Sequence, residues 1–158
     1  MERRQTLARI RTIKPEFWVD DVMVELSFQT RLFFIGLWNF ADDEGFIEDK
    51  PKRLKMQIFP AESEPVDDSL SALVEGGRLL EYVSDEGPLL KVANWEHHQK
   101  INRPTPTRFS GIVPQNRRGS VSAPEYVSEH SPLEGKGRER KGKEGSGRGF
   151  SESPPTPT

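Results

Sequence analysis

Lys50, Lys52, Arg53 and Lys55 put four cations into six residues. Pro51 opens the run and suits the first turn of a helix. Leu54 and Ile58, four apart, mark an apolar face, so Lys52 and Lys55 project from the opposite face with Arg53 at its flank. Lys50 stands just before the helix. Cations grouped this way neutralise phosphates, in a contact that ignores base sequence and weakens with salt. The plain alternative is an ordinary solvated face. A second basic set flanks the folded region. Arg9, Arg11 and Lys14 stand at its start, Lys100, Arg103 and Arg108 at its end, and Arg78 heads a strand-like run. If residues 9–13 pair near the hairpin, the charges at the two ends of the domain converge into one patch.

Other chemistries fit less well. Asp42, Asp43, Glu44, Glu48 and Asp49 form an acidic cluster. A two-metal nuclease needs carboxylates arriving from separate elements, whereas an acidic loop run caps and ends a helix, which is the reading preferred here. His97 and His98 are adjacent, and on an extended chain they point to opposite sides; His130 is remote. Trp95 anchoring a final strand, with polar His beside it, is preferred to a metal site. The absence of Cys excludes a disulfide scaffold, a Cys-ligated zinc finger, an iron–sulfur site and a thiol nucleophile. No glycine-rich phosphate loop ending in Lys-Ser/Thr occurs, and no Ser/His/Asp arrangement. The expectation is a non-enzyme without metal or cofactor. Trp18, Phe34, Trp38 and Trp95 have faces on which single-stranded bases stack, but in so small a domain they read as core.

The elements that position these residues follow from periodicity. Residues 9–13 alternate polar and apolar and predict a short strand. Pro15 stops it and starts a helical turn through Trp18. From Phe28 to Ala41 apolar residues crowd nearly every face, which predicts a central buried helix. Gly45 supplies its left-handed stop, and Phe46-Ile47 a stub of strand. A helix runs from Pro51 to about Phe59. A third, with Val66, Leu70, Leu73 and Val74 on one side, closes at Gly76-Gly77. Arg78–Val83 and Leu89–Trp95 flank Ser84–Pro88 as a hairpin. Strand, helix, helix, helix, hairpin is the order of an α+β winged helix-turn-helix.

Composition changes after Arg103. Up to that residue there are 14 basic and 19 acidic side chains; beyond it, 9 basic and 6 acidic, together with 8 Gly, 8 Pro and 8 Ser in 55 residues. Such a stretch buries too little apolar surface to offset roughly 1–2 kcal/mol of backbone entropy per residue. Residues 1–103 are therefore expected to form the domain and 104–158 a disordered basic tail, with a low-complexity run at 135–145 and an extended Pro-rich end. Deleting 110–158 is expected to leave melting unchanged.

Leu32-Phe33-Phe34-Ile35-Gly36-Leu37-Trp38-Asn39-Phe40-Ala41-Asp42-Asp43-Glu44-Gly45 resembles bacteriophage replication-initiation proteins. So does the arrival of the hairpin at Ala93-Asn94-Trp95-Glu96-His97-His98-Gln99-Lys100, with its Asn-Trp-x-x-His-Gln signature. Ala8–Trp18 and Arg53-Leu54-Lys55-Met56 extend the resemblance over roughly 7–108. It is to the N-terminal domain of phage replisome organisers, related to DnaD-type primosome proteins. The resemblance implies a winged helix, binding of double-stranded DNA at a replication origin, and recruitment of the replicative helicase or its loader. The signature is not catalytic in that family.

Two features oppose simple docking of the third helix. Its outward residues are Asp68, Ser71, Ala72 and Glu75, and the hairpin turn carries Asp85 and Glu86, all the wrong sign for a phosphate backbone. Asp67 and Asp68 are read instead as caps of the helix N-terminus. Two alternatives stay open: a transcriptional regulator of the phage genome, and a homo-oligomerising module that never touches DNA. No apolar run spans a membrane and the N-terminus lacks a signal-peptide core, so the expected compartment is the cytoplasm of the bacterial host.

Overall fold

The computed structural model describes residues 8–118. The chain divides into two units, Met1–Glu125 and Tyr126–Thr158, and every described residue belongs to the first. The architecture is mixed α+β. Among the described residues a 3-10 turn (Pro15–Val19) precedes α1 (Asp21–Glu25), α2 (Phe28–Phe40), β1 (Phe46–Glu48), α3 (Pro51–Ile58) and α4 (Asp67–Glu75). The hairpin β2 (Leu79–Ser84) and β3 (Gly87–Val92) follows, then α5 (Trp95–His98) and β4 (Val113–Pro114).

Local chemistry sets the helix ends. Ser27 caps α2 by accepting the Thr30 amide at 3.1 Å, and Asp20 caps α1 by accepting the Val22 and Met23 amides. After α2 the chain turns through Gly45 at φ 86°. A Cβ there would lie 2.7 Å from Cγ of Trp95, so both the backbone angle and the close indole demand glycine. In α4 the N-cap position is Val66, without a side-chain bond. Asp67 and Asp68 lie inside the first turn instead of capping it, where they complement the helix dipole.

The sheet is antiparallel in the order β1-β3-β2-β4. Ile47 pairs with Leu90 and Leu79 with Val92. These side chains join α2 (Phe33, Phe34, Leu37, Trp38), α3 (Leu54) and α4 (Leu70, Leu73, Val74) in the main core, closed by Phe17 and Trp95. A buried hydroxyl bridge, Thr30 to Ser69 at 3.0 Å, ties α2 to α4. The opposite face of the sheet is also covered. Phe46, Tyr82 and Leu89 pack there with Phe109 and Ile112.

Four expectations need correction. Residues 9–13 make no strand; the segment runs against the end of α2, with the Arg9 amide on the Asn39 carbonyl at 2.7 Å. The long helix is not buried all round: Phe28 is 83 % and Leu32 58 % exposed, because only one side meets α3 and α4. Trp95 does not end a strand but opens α5 after Asn94, which is left-handed at φ 52°. The domain also does not end at Arg103. Residues 104–118 form a strap across the sheet, burying Phe109 and pairing β4 with β2 at Val83–Val113. Its glycine and proline content masked two apolar anchors, Phe109 and Ile112, and two arginines.

Those arginines fasten the strap. Arg118 makes a bidentate pair with Asp49 (2.8 and 2.9 Å) and reaches Glu81 at 2.9 Å. Arg117 reaches Asp49 at 2.9 Å. Both carboxylate side chains are only 1 % exposed, so they depend on these partners for solvation. The low-complexity run, the Pro-rich end and His130 lie outside the described residues.

Arg118→Ala is expected to destabilise the domain by about 3–5 kcal/mol, the range for breaking a buried ion pair. Deleting 110–158, which removes both arginines and β4, is therefore expected to lower the melting temperature and not to leave it unchanged, and a chain stopped at Arg103 to melt lower still. An unchanged denaturation midpoint in any of these would contradict the packing of the strap. Trp38, 1 % exposed at the centre of the core, is expected to cost about 3–5 kcal/mol when replaced by Ala, read by the same denaturation.

Candidate nucleic-acid interface

The basic residues divide into a structural group and a group at the surface. Arg11 is structural. Its guanidinium donates to the carbonyls of Trp38 (3.3 Å), Ala41 (2.8 Å) and Asp42 (3.2 Å), satisfying the open end of α2. It also pairs with Asp43 at 3.2 Å and lies over Trp95 at 5.1 Å. Arg9 joins it on Asp43. Arg78 Nη2 donates to both carboxylate oxygens of Asp20 at 2.6 and 2.7 Å, tying the start of β2 to the cap of α1. Lys14 donates to the His97 carbonyl, and Lys55 to the Glu62 carbonyl.

A different arrangement surrounds Glu48 at the end of β1. Lys50 Nζ and Arg53 Nη1 each lie 3.0 Å from Glu48 Oε2, and Arg108 Nη2 lies 2.7 Å from Oε1. Residues from the loop, from α3 and from the strap thus converge on one carboxylate. Lys52, Lys100 and Arg103 are exposed and meet no partner among the described residues. The strand at 9–13 on which convergence into one patch depended is not formed. Arg9 and Arg11 go to Asp43 while Arg108 goes to Glu48, two separate carboxylates.

The acidic turn following α2 proves to be an anchor for both ends of the domain. Asp42 accepts the Glu44 and Phe46 amides (3.0 and 2.9 Å) and the Thr107 hydroxyl (2.6 Å). Asp43 accepts the Thr105 amide at 3.0 Å, and Glu44 the Thr107 amide at 3.0 Å. The hairpin tip is engaged too: the Ser110 hydroxyl donates to Asp85 (2.9 Å) or Glu86 (3.1 Å), and the Ser110 amide to Glu86 (3.1 Å). Its carboxylates hold the strap. No cluster of three metal-ligating side chains occurs among the described residues.

The Asn-Trp-x-x-His-Gln segment has structural roles. Trp95 Nε1 donates to the Asp43 carbonyl at 2.9 Å. His98 lies 5.0 Å from the Trp38 ring. Gln99 holds Thr12 as a strand would, accepting its amide (3.0 Å) and donating to its carbonyl (2.8 Å).

Sequence reasoning missed Glu48 as a centre and missed Arg117 and Arg118 altogether. The only signal for the arginines was their basic pair in a tail otherwise poor in apolar residues. No family model, curated protein or solved structure matches the chain.

These contacts set the pH response. Burial pushes the Asp43 carboxyl up, but the Thr105 amide and the two guanidiniums outweigh it and hold the group below the ordinary aspartate value. Asp20 is lowered likewise, burial being outweighed by the Met23 amide and Arg78. Glu48 is lowered, burial being outweighed by Lys50 and the two arginines. A lowered carboxyl stabilises fully above its unfolded value, about 4, and loses that contribution as pH falls through the folded one. Burial also depresses His98, with His97 adding to the effect, so between its folded and unfolded values the unfolded chain takes up the proton first. The melting temperature is therefore expected to be flat from pH 7 to 8, to decline below about 6.5 through His98, and to fall steeply below about 4. Replacing His98 by Gln removes the first decline if this assignment holds, and retains it if another group is responsible.

Proposed function

We propose that residues 8–118 are a winged helix domain that binds double-stranded DNA in the initiation of phage replication, in the manner of a replisome organiser. The carrying observation is the element order α2–β1–α3–α4–β2–β3 with β1 hydrogen-bonded to β3. In that arrangement a short strand after the first helix returns to complete the hairpin sheet, and α3 and α4 form the helix pair. Loading of a replicative helicase or its loader belongs to the same reading.

The docking face differs from the usual one. The helix that would enter a major groove, α4, is Asp-Asp-Ser-Leu-Ser-Ala-Leu-Val-Glu and carries no cation. The hairpin tip is acidic and occupied by Ser110. Lys50, Lys52, Arg53 and Arg108 gather exposed cations at the start of α3 and on the strap, whereas the equally exposed Arg9 and Arg117 are held on the buried Asp43 and Asp49. DNA accordingly meets the β1–α3 edge through its phosphates, and this contact supplies affinity more than sequence choice. Lys100 and Arg103 add exposed charge where the strap begins. A transcriptional regulator would use the same face, and footprinting separates the two by origin repeats versus promoter operators.

One observation favours a second reading, a homo-oligomerising module. Val24, Phe28 and Leu32 are 48, 83 and 58 % exposed along α1 and α2, an apolar strip of the kind that marks contact sites. Binding to duplex DNA distinguishes the readings. Charge reversal of Lys52 and Arg53 to Glu is expected to weaken binding to every duplex alike and to flatten its salt dependence, whereas Asp68→Lys with Glu75→Lys on α4 leaves specificity unchanged. A folded protein that binds no duplex at low salt would support the oligomerisation module.

A further inference from the structure

Among the carboxylates of the described residues, Glu48 stands out by what surrounds it. Asp49 and Glu81 face Arg117 and Arg118, two anions against two cations, with both anions buried; that balance is a structural lock. Asp43, itself 6 % exposed, takes Arg9 (42 % exposed) and Arg11 (7 % exposed and bound to backbone carbonyls) beneath the strap. Glu48 instead meets three cations whose side chains are 39 to 51 % exposed, while its own is 23 % exposed. The carboxylate lies beneath and the cationic heads lie outward. An anion arriving from solvent meets the cations first.

We propose that Lys50, Arg53 and Arg108 form a claw for one backbone phosphate of duplex DNA, and that Glu48 is its placeholder, a carboxylate that holds the three cations together in the free protein and gives them up to the phosphate. The inference rests on the DNA-binding reading above and adds a specific site and a positioning residue to it. Carboxylate and phosphate oxygens accept the same N–H donors, and a guanidinium fork fits either. The exchange needs no rebuilding of the site, because the cations are already gathered. Arg108 is further fixed by its guanidinium lying 4.8 Å over Phe109, which is buried in the second core. The strap thereby brings to the claw a cation sixty residues from Glu48. Lys52, one position into α3 and exposed, is available to the next phosphate along the strand. Glu48 positions by competition: it orders the claw and weakens it at once.

The full chain carrying Glu48→Gln, which keeps the shape and one of the two acceptor oxygens but removes the charge, tests this against the unaltered chain and Arg108→Gln. Binding to one short duplex is measured by fluorescence anisotropy over a range of salt concentrations, with thermal melting run on each variant. The expected result is a roughly three- to tenfold gain in affinity for Glu48→Gln at low salt, with the slope of log affinity against log salt steeper by about one, and a loss with a slope shallower by about one for Arg108→Gln. A purely structural role for Glu48 would lower the melting temperature without steepening the slope. If the unaltered chain binds and Glu48→Gln binds equally or more weakly, the placeholder is overturned while the DNA-binding reading stands. If Glu48→Gln does not fold, Arg108→Gln decides, and an unchanged slope overturns the claw. If neither the unaltered chain nor Glu48→Gln binds at low salt, both fail.

Discussion

A buried carboxylate must be solvated by protein donors, and Asp43 is the place where that requirement shapes the domain. Its side chain is 6 % exposed. Its oxygens take Arg9 and Arg11 from the N-terminal segment and the Thr105 amide from the strap, and its carbonyl takes the Trp95 indole. Three stretches distant in sequence thus meet at the turn that ends α2. Arg11, held there, also closes the carbonyl end of that helix. Gly45 lets Trp95 press against the turn. Removing the Asp43 charge would leave guanidiniums without their anion and a loop without its donors. Asp42 and Glu44 repeat the device with Thr107, and Asp49 with Arg117 and Arg118. The acidic turn is a clamp on both arms.

This clamp accounts for what could and could not be read along the chain. The helices at Phe28, Pro51 and Asp67 and the hairpin were legible because each is a local pattern: apolar spacing, a proline at a first turn, a glycine stop, a loop between two apolar runs. The left-handed Gly45 was legible for the same reason. Long-range pairing was not. Arg9–Ile13 alternates like a strand, yet its partners are a helix end and the side chain of Gln99, sixty or more residues beyond Asn39. The strap has the composition of a tail, and what holds it is Phe109 and Ile112 against the sheet, Thr105, Thr107 and Ser110 on acidic turns, and two arginines finding buried acids. Charge in a sequence does not say whether a partner waits across the fold. Arg11 and Arg78 have the same side chain as Arg108, and only the fold separates a helix cap or a strand tie from a surface cation.

The same sorting gives the domain its electrical character. Up to Arg103 acids outnumber bases, and many of those acids are internal, consumed by the clamp, the cap of α1 and the sheet edge. On α4 and the segment before it Glu62, Glu64, Asp67, Asp68 and Glu75 are exposed, with no cation among them. Exposed cations gather at the start of α3 and on the strap. One side of the helix pair therefore repels a polyanion and the other attracts it. The strap is part of that design, since it both covers the far face of the sheet and delivers Arg108 to the cationic edge.

The most direct measurement is a residue-by-residue map of amide chemical shifts on adding a short duplex to the full chain at low salt. The account predicts perturbations concentrated at residues 48–55 and at 108, growing smaller as salt is added, with residues 67–75 and the hairpin turn at 84–86 little changed. Perturbations centred on α4, or none anywhere while the protein remains folded, would contradict it.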